Sequence, residues 1–135
     1  LHLCDRRQRQ MCKETATGKY IPVKERITYR ELLKHNSINC SSVLLRREDA
    51  LAFPMGHDDS HEDYITWLRI LRKGGFAAGI NRPYLKYRLS EGGKSRNKLK
   101  SAAMTYQVYR YVGYGPLKSL FFFVSYALHG IWKYR

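Results

Sequence analysis

The stretch Ser60-His61-Glu62-Asp63-Tyr64-Ile65-Thr66-Trp67-Leu68-Arg69-Ile70-Leu71-Arg72-Lys73-Gly74 decides how this chain is read. Ser60 is placed to cap a helix, with Asp63 at its third helical position. Tyr64, Trp67, Leu68 and Leu71 recur at helical spacing and form one apolar stripe, while Arg69, Arg72 and Lys73 lie off it. Gly74-Gly75 is a stop signal. Glu62 and Asp63 therefore stand side by side in the first turn of an amphipathic helix. The chain carries 25 Lys+Arg against 11 Asp+Glu, so a tight acidic spot is unusual in it. Such a pair either caps the helix or acts as a base toward a substrate hydroxyl.

Upstream, residues Leu1 to Arg26 are polar and basic, with a turn at Gly18-Lys19 and Pro22. They fit one or two short strands or a loop. Thr28 and Glu31 make a capping box, and Tyr29, Leu32 and Leu33 supply the apolar face of a short helix ending near His35-Asn36. Asn39 to Leu45 reads as a strand. A short helix is expected after Arg46-Arg47-Glu48-Asp49, before Pro54 and Gly56. Downstream, Phe76–Ile80 and Tyr84–Leu89 read as two strands around Asn81-Arg82-Pro83. Gly92-Gly93-Lys94-Ser95 reads as a loop, with Ser95 capping a helix that runs to about Val112. Pro116 suits the first turn of a last helix.

That last helix carries Leu117, Leu120, Phe121, Phe122, Phe123, Val124 and Leu128, flanked by Lys118, His129, Lys133 and Arg135. The apolar run falls short of the ~20 residues a membrane span needs. It has the look of a helix lying in a membrane interface, and equally of one packed on the domain or on a partner.

At 135 residues and 44% hydrophobic, the chain has room for one modest domain. No secretory leader pattern opens it, and it begins at Leu1, so a mature, processed or cut chain is expected. A formal charge of +14 points to polyanionic partners: nucleic acid, phosphorylated small molecules or an anionic membrane surface. Cys4, Cys12 and Cys40 fit no common zinc spacing and cannot all pair, which suits reduced thiols in the cytosol.

Several motifs fail on inspection. Gly93-Lys94-Ser95 resembles the tail of a phosphate-binding P-loop, but Arg88 stands where the pattern needs glycine. His57 and His61 have metal-ligand spacing, yet Ser60 as N-cap would leave His57 outside the helix. Tyr84, Tyr87, Tyr106, Tyr109, Tyr111 and Tyr114 interleave with basic residues as in single-strand nucleic-acid binders. Within 104–114, however, they recur at the spacing of a packing stripe.

The ordered pieces resemble the C-terminal half of bacterial family 2 glycosyltransferases. The matching residues are Asn36-Ser37-Ile38-Asn39-Cys40-Ser41-Ser42-Val43-Leu44-Leu45-Arg46-Arg47, then His61-Glu62-Asp63-Tyr64 with Trp67-Leu68-Arg69, then Tyr84-Leu85-Lys86-Tyr87-Arg88 and the Ser90–Ser95 loop. The resemblance covers about residues 27–110. It implies an α/β fold: the C-terminal part of a GT-A-type mixed sheet flanked by helices, followed by C-terminal amphipathic helices. Residues 1–95 would be the acceptor-side part of a catalytic domain. Residues 96–135 would be a helical, membrane-associating segment.

The implied chemistry is inverting transfer of a sugar from a nucleotide-sugar to a saccharide or lipid-linked acceptor in surface polysaccharide synthesis. By the family pattern Asp63 is the catalytic base and Glu62 its neighbour. Arg88, Lys94 and Ser95 would face the donor diphosphate, and Ser41, Ser42 and Trp67 the acceptor side. The family holds Mg or Mn through a D-x-D motif in a preceding nucleotide-binding segment. This sequence contains no D-x-D, so it is expected to bind no metal and to be inactive alone, as a fragment. The implied location is cytoplasmic, peripheral on the inner face of the cell membrane, with no nucleic acid bound. Two other classes stay in view: a small basic nucleic-acid-binding module, and a non-catalytic protein docking on a membrane surface or partner.

Overall fold

A computed structural model describes residues 7–15, 20–87 and 98–133. Five strands and five α-helices alternate irregularly along them: β1 (Arg7–Thr15), β2 (Tyr20–Ile21), β3 (Arg26–Thr28), α1 (Tyr29–Lys34), β4 (Val43–Leu44), α2 (Arg47–Ala52), α3 (Glu62–Arg72), β5 (Phe76–Tyr87), α4 (Lys98–Tyr111) and α5 (Pro116–Lys133). The sheet is mixed. Its order is β2-β1-β5-β3, with β4 also pairing with β1. β1 runs parallel to β5 and antiparallel to β2 and β4, and β3 is antiparallel to β5. The fold is thus α/β, as expected.

α1 starts where its sequence says it should. The Thr28 hydroxyl accepts the Glu31 N–H, and the Glu31 carboxylate accepts the Thr28 N–H at 2.9 Å. Two amides that the helix start would otherwise orphan are satisfied reciprocally. These bonds also favour the ionised carboxylate, so the Glu31 pKa lies below its ordinary value; the Thr28 N–H is the largest cause. α3 stops at Gly74 and Gly75, whose φ angles of 104° and 92° fall in the left-handed region that glycine adopts without strain.

The core joins the sheet to the helices. Ile27 of β3 and Ala77 of β5 meet Leu32 and Leu33 of α1, the whole Tyr64-Trp67-Leu68-Leu71 stripe of α3, and Val108, Tyr109 and Val112 around the end of α4. Full burial of each large apolar side chain contributes about 1.5–3 kcal/mol, so the α3 stripe is a principal anchor. Among the described residues, Val108, Tyr109 and Val112 share this core with residues before 95. α5 covers it further with Phe122, Phe123 and Tyr126.

The structure corrects three expectations. Asn39–Leu45 is mostly not a strand. Cys40–Ser42 forms a 3-10 turn, and only Val43–Leu44 is extended. The reason is local: the Asn39 side chain accepts the Ser41 N–H at 3.2 Å, and its carbonyl accepts the Ser42 N–H at 3.1 Å. Asparagine and serine offer the backbone this alternative to a ladder. The two strands expected at 76–89 are one, β5, because Pro83 falls at a register irregularity opposite Cys12 rather than at a break. A residue with no N–H to donate is tolerated at such a site. The N-cap of α3 is His61, not Ser60, which makes Asp63 the second helical residue. Ser60 is buried instead, with its hydroxyl turned to α4. The helix start expected at Ser95 lies outside the described residues, within which α4 is recorded from Lys98.

Candidate active site

The first turn of α3 carries Glu62 and Asp63, both partly exposed. No N-cap side chain bonds to this helix start. Asp63 takes that place from inside: its carboxylate accepts the Tyr64 N–H at 2.8 Å. The negative charge also meets the positive end of the helix dipole. The capping reading is therefore correct for one carboxylate oxygen, and a carboxylate has a second.

The loop leading into this turn is held from α4. The Ser60 N–H bonds to the His57 carbonyl at 2.9 Å, closing a turn, and the Ser60 hydroxyl donates to the Met104 carbonyl at 2.9 Å. The Tyr111 hydroxyl donates to the Asp59 carboxylate at 2.7 Å. The His57 ring stacks on the Tyr111 ring with centroids 4.1 Å apart. The His61 Nε2 lies 3.4 Å from the Ser101 hydroxyl. The hydrogen bond to Asp59 raises the Tyr111 phenol pKa, because ionisation would forfeit the bond and set two anions together.

The other end of α3 grips the same helix. Arg69 donates to the Tyr111 carbonyl at 3.0 Å and Arg72 to the Val112 carbonyl at 2.7 Å. These carbonyls lie at the C-terminal end of α4, where partners within the helix run out and cations are favoured. Both ends of α3 are thus tied to α4, and the carboxylate pair sits on a braced element.

The remaining sequence-derived site residues divide. Trp67, one turn into α3, is only 2% exposed and lines the core; its Nε1 is buried without a hydrogen-bond partner among the described residues. Ser42 is buried, and its hydroxyl donates to the Asn39 carbonyl at 3.3 Å, whereas Ser41 is exposed. No hydrogen bond joins either serine to Glu62 or Asp63 among the described residues. Arg88, Lys94 and Ser95 lie outside the described residues. Among the described residues no group of three His, Cys, Asp or Glu side chains could hold a metal ion, the His57–Asp63 run included. Sequence reasoning missed the bracing role of Asp59, Tyr111 and Ser60. A tyrosine out of step with a packing stripe was the available signal.

Two of the tyrosines read as a nucleic-acid alternative are engaged within the fold. Tyr109 is fully buried, and Tyr114 bonds to the Tyr29 hydroxyl at 2.7 Å. No described helix is long and apolar enough to cross a membrane.

No family model matches the chain, and no solved structure matches it. Curated relatives do. The chain is 35% identical over 120 residues to the teichuronic acid biosynthesis glycosyltransferase TuaG of Bacillus subtilis, covering 88% of this chain and 48% of TuaG. It is 35% identical over 121 residues to the Escherichia coli UDP-Glc:alpha-D-GlcNAc-diphosphoundecaprenol beta-1,3-glucosyltransferase WfgD, covering 87% of this chain and 46% of WfgD. A second E. coli enzyme of that description, WfaP, is 32% identical over 108 residues, 80% of this chain and 43% of WfaP. The chain spans about half the length of the curated relatives it matches. Over nearly all of its own length, then, this chain is homologous to a part of these bacterial glycosyltransferases.

Proposed function

We propose that this chain supplies the acceptor side of an inverting, family 2, GT-A-type sugar transferase, with Asp63 as the base. The acceptor hydroxyl oxygen bonds to the anomeric carbon of a nucleotide-sugar, and the bond from that carbon to the diphosphate breaks. The proton goes to the Asp63 carboxylate, and the electron pair leaves with the nucleotide diphosphate. Basic groups stabilise that leaving charge, and Arg88, Lys94 and Ser95 are the residues proposed for it. Glu62 stands beside the base as an acceptor contact, and Ser41, Ser42 and Trp67 support the acceptor side. The observation that carries the reading is the position of Asp63: partly exposed at the start of a helix tied at both ends to α4, with one carboxylate oxygen committed to the Tyr64 N–H. A fixed base can be held within reach of a hydroxyl, as proton transfer requires.

The names of the relatives support a reading of the substrates. The names of WfgD and WfaP specify a UDP-sugar donor and a diphosphoundecaprenol-linked acceptor. A nucleotide-sugar and a lipid-linked or saccharide acceptor are proposed here, at the inner face of the cell membrane, in surface polysaccharide synthesis. The proposal leaves Mg or Mn, and tight donor binding, to a donor-binding half outside this sequence. Accordingly this chain alone binds a UDP-sugar no better than weakly and transfers nothing, and calorimetric binding in the micromolar range would contradict that. The decisive test is Asp63→Asn in a protein joining these residues to a donor-binding half. Transfer should fall about 10²–10⁴-fold, the usual worth of a positioned base, with donor affinity kept. Activity that survives removes Asp63 from the role.

A further inference from the structure

α5 has two unlike faces. Ser119, Phe122, Phe123 and Tyr126 turn inward: Ser119 is fully buried, and the three aromatic rings pack on the core, with Phe122 5.6 Å from Tyr109 and 4.9 Å from Tyr114. Leu117, Leu120, Phe121, Val124 and Leu128 turn outward. They are 82%, 51%, 69%, 47% and 61% exposed. Spaced three and four residues apart, they form one continuous apolar stripe. A soluble monomer rarely leaves such a stripe uncovered unless something binds it.

Charge selects the occupant. Residues 92–135 contain eight Lys and Arg and no Asp or Glu. Lys118 is exposed on α5 next to the stripe, and Arg110 and Lys100 are exposed on α4. A second copy of this chain on the stripe would set two cationic segments against each other. An anionic bilayer would take both features at once, its acyl boundary receiving the apolar side chains and its headgroups the cations. We infer that the outer face of α5 is a docking surface for anionic phospholipid, on which the helix lies in the plane of the membrane. This deepens the membrane location proposed above by naming the surface. Its test reads lipid binding alone, so transfer chemistry can fail without it, and the reverse.

The experiment is co-sedimentation of this chain with vesicles of phosphatidylethanolamine and phosphatidylglycerol, with phosphatidylcholine vesicles as the comparison. The chain should bind the anionic vesicles, more weakly as salt rises, and phosphatidylcholine much less. Leu117→Gln/Phe121→Gln should weaken binding by about tenfold or more, since each side chain otherwise buries apolar area in the bilayer. Both residues are exposed, so circular dichroism and urea unfolding should match the parent; Val124→Gln/Leu128→Gln serves if they do not. The inference is overturned by no binding to anionic vesicles, by binding that the variants leave unchanged, by equal binding to phosphatidylcholine, or by a parent dimer in sedimentation equilibrium that the variants abolish.

Discussion

Two buried phenols finish α1, and removing their hydroxyls should show how that helix is held. α1 has only six residues, too few to be stable on its own. Its last carbonyls are answered from elsewhere. The Tyr109 hydroxyl donates to the Leu33 carbonyl at 2.8 Å, and the Tyr64 hydroxyl to the Leu32 carbonyl at 2.7 Å. The two hydroxyls are 3.2 Å apart. The two losses should differ. The Leu32 carbonyl also accepts the His35 N–H at 3.2 Å, so Tyr64→Phe leaves it a partner. The Leu33 carbonyl is otherwise approached, among the described hydroxyls, by Tyr64 at a long 3.5 Å. A buried group left without a good partner costs about 1–3 kcal/mol, and a hydrogen bond lost without that penalty about 1 kcal/mol. Tyr109→Phe should therefore cost about 2 kcal/mol and Tyr64→Phe about 1 kcal/mol by these rules. Urea unfolding at constant m-value measures both. Burial pushes the Tyr109 phenol up to about 12 from an ordinary 10.0. An acid whose folded pKa is raised contributes fully below its unfolded value and less as pH climbs through the folded one. The parent should thus lose stability between pH 10 and about 12 more steeply than Tyr109→Phe. A Tyr109→Phe cost within experimental error of zero, or one no larger than that of Tyr64→Phe, would refute this account of α1.

Other expectations follow from single contacts. Thr28→Ala removes half of the capping box and should cost about 1 kcal/mol in urea unfolding. The stabilisation from ionised Glu31 is present above its ordinary pKa of 4.5 and lost as pH falls through the lowered folded value, so Glu31→Gln should flatten the acid limb of the stability profile. Gly79→Ala would drive a methyl group into the Lys24 carbonyl, a backbone atom that cannot swing aside. Its cost should reach the ~1–3 kcal/mol of overpacking or more by thermal denaturation. Arg72→Met strips the 2.7 Å bond from the Val112 carbonyl and should cost about 1 kcal/mol. Arg72→Lys should recover only part of it, because a point-like ammonium does not match the planar fork.

What could be read in the sequence was local. The Thr28–Glu31 box, the Tyr64-Trp67-Leu68-Leu71 stripe and the Gly74-Gly75 stop each need only neighbours in the chain, and each appears as read. What could not be read was pairing at a distance. β1 has the sequence RQRQMCKET, with no alternation of apolar and polar residues to announce a strand. It becomes one because β5, some seventy residues on, runs parallel beside it, and β2 and β4 pair with it antiparallel. Pro83 gave a true signal of irregularity that sequence spacing could not distinguish from a break. Ser60 shows the same limit: its hydroxyl suits the N-cap by local rules, but the Met104 carbonyl on α4 takes it.

That diversion of Ser60 bears on the candidate base. Had Ser60 capped α3, the helix start would have been satisfied locally, and Asp63 would owe its position to the helix alone. With Ser60 turned to Met104 and Asp59 held by Tyr111, the loop before the carboxylates belongs to α4, and Asp63 itself supplies the cap. A capping carboxylate is commonly a competitor to the catalytic reading. Here it is what makes that reading workable, because the bond to the Tyr64 N–H fixes the rotamer of the group that must meet a hydroxyl. α4 in turn is held by α5, whose Phe122 and Phe123 pack against Tyr109 and Tyr106. If the outer face of α5 rests on a bilayer, the carboxylates are referenced to the membrane plane through packed helices rather than through a flexible tether, and a lipid-linked acceptor would arrive at a base whose position relative to the bilayer is already set.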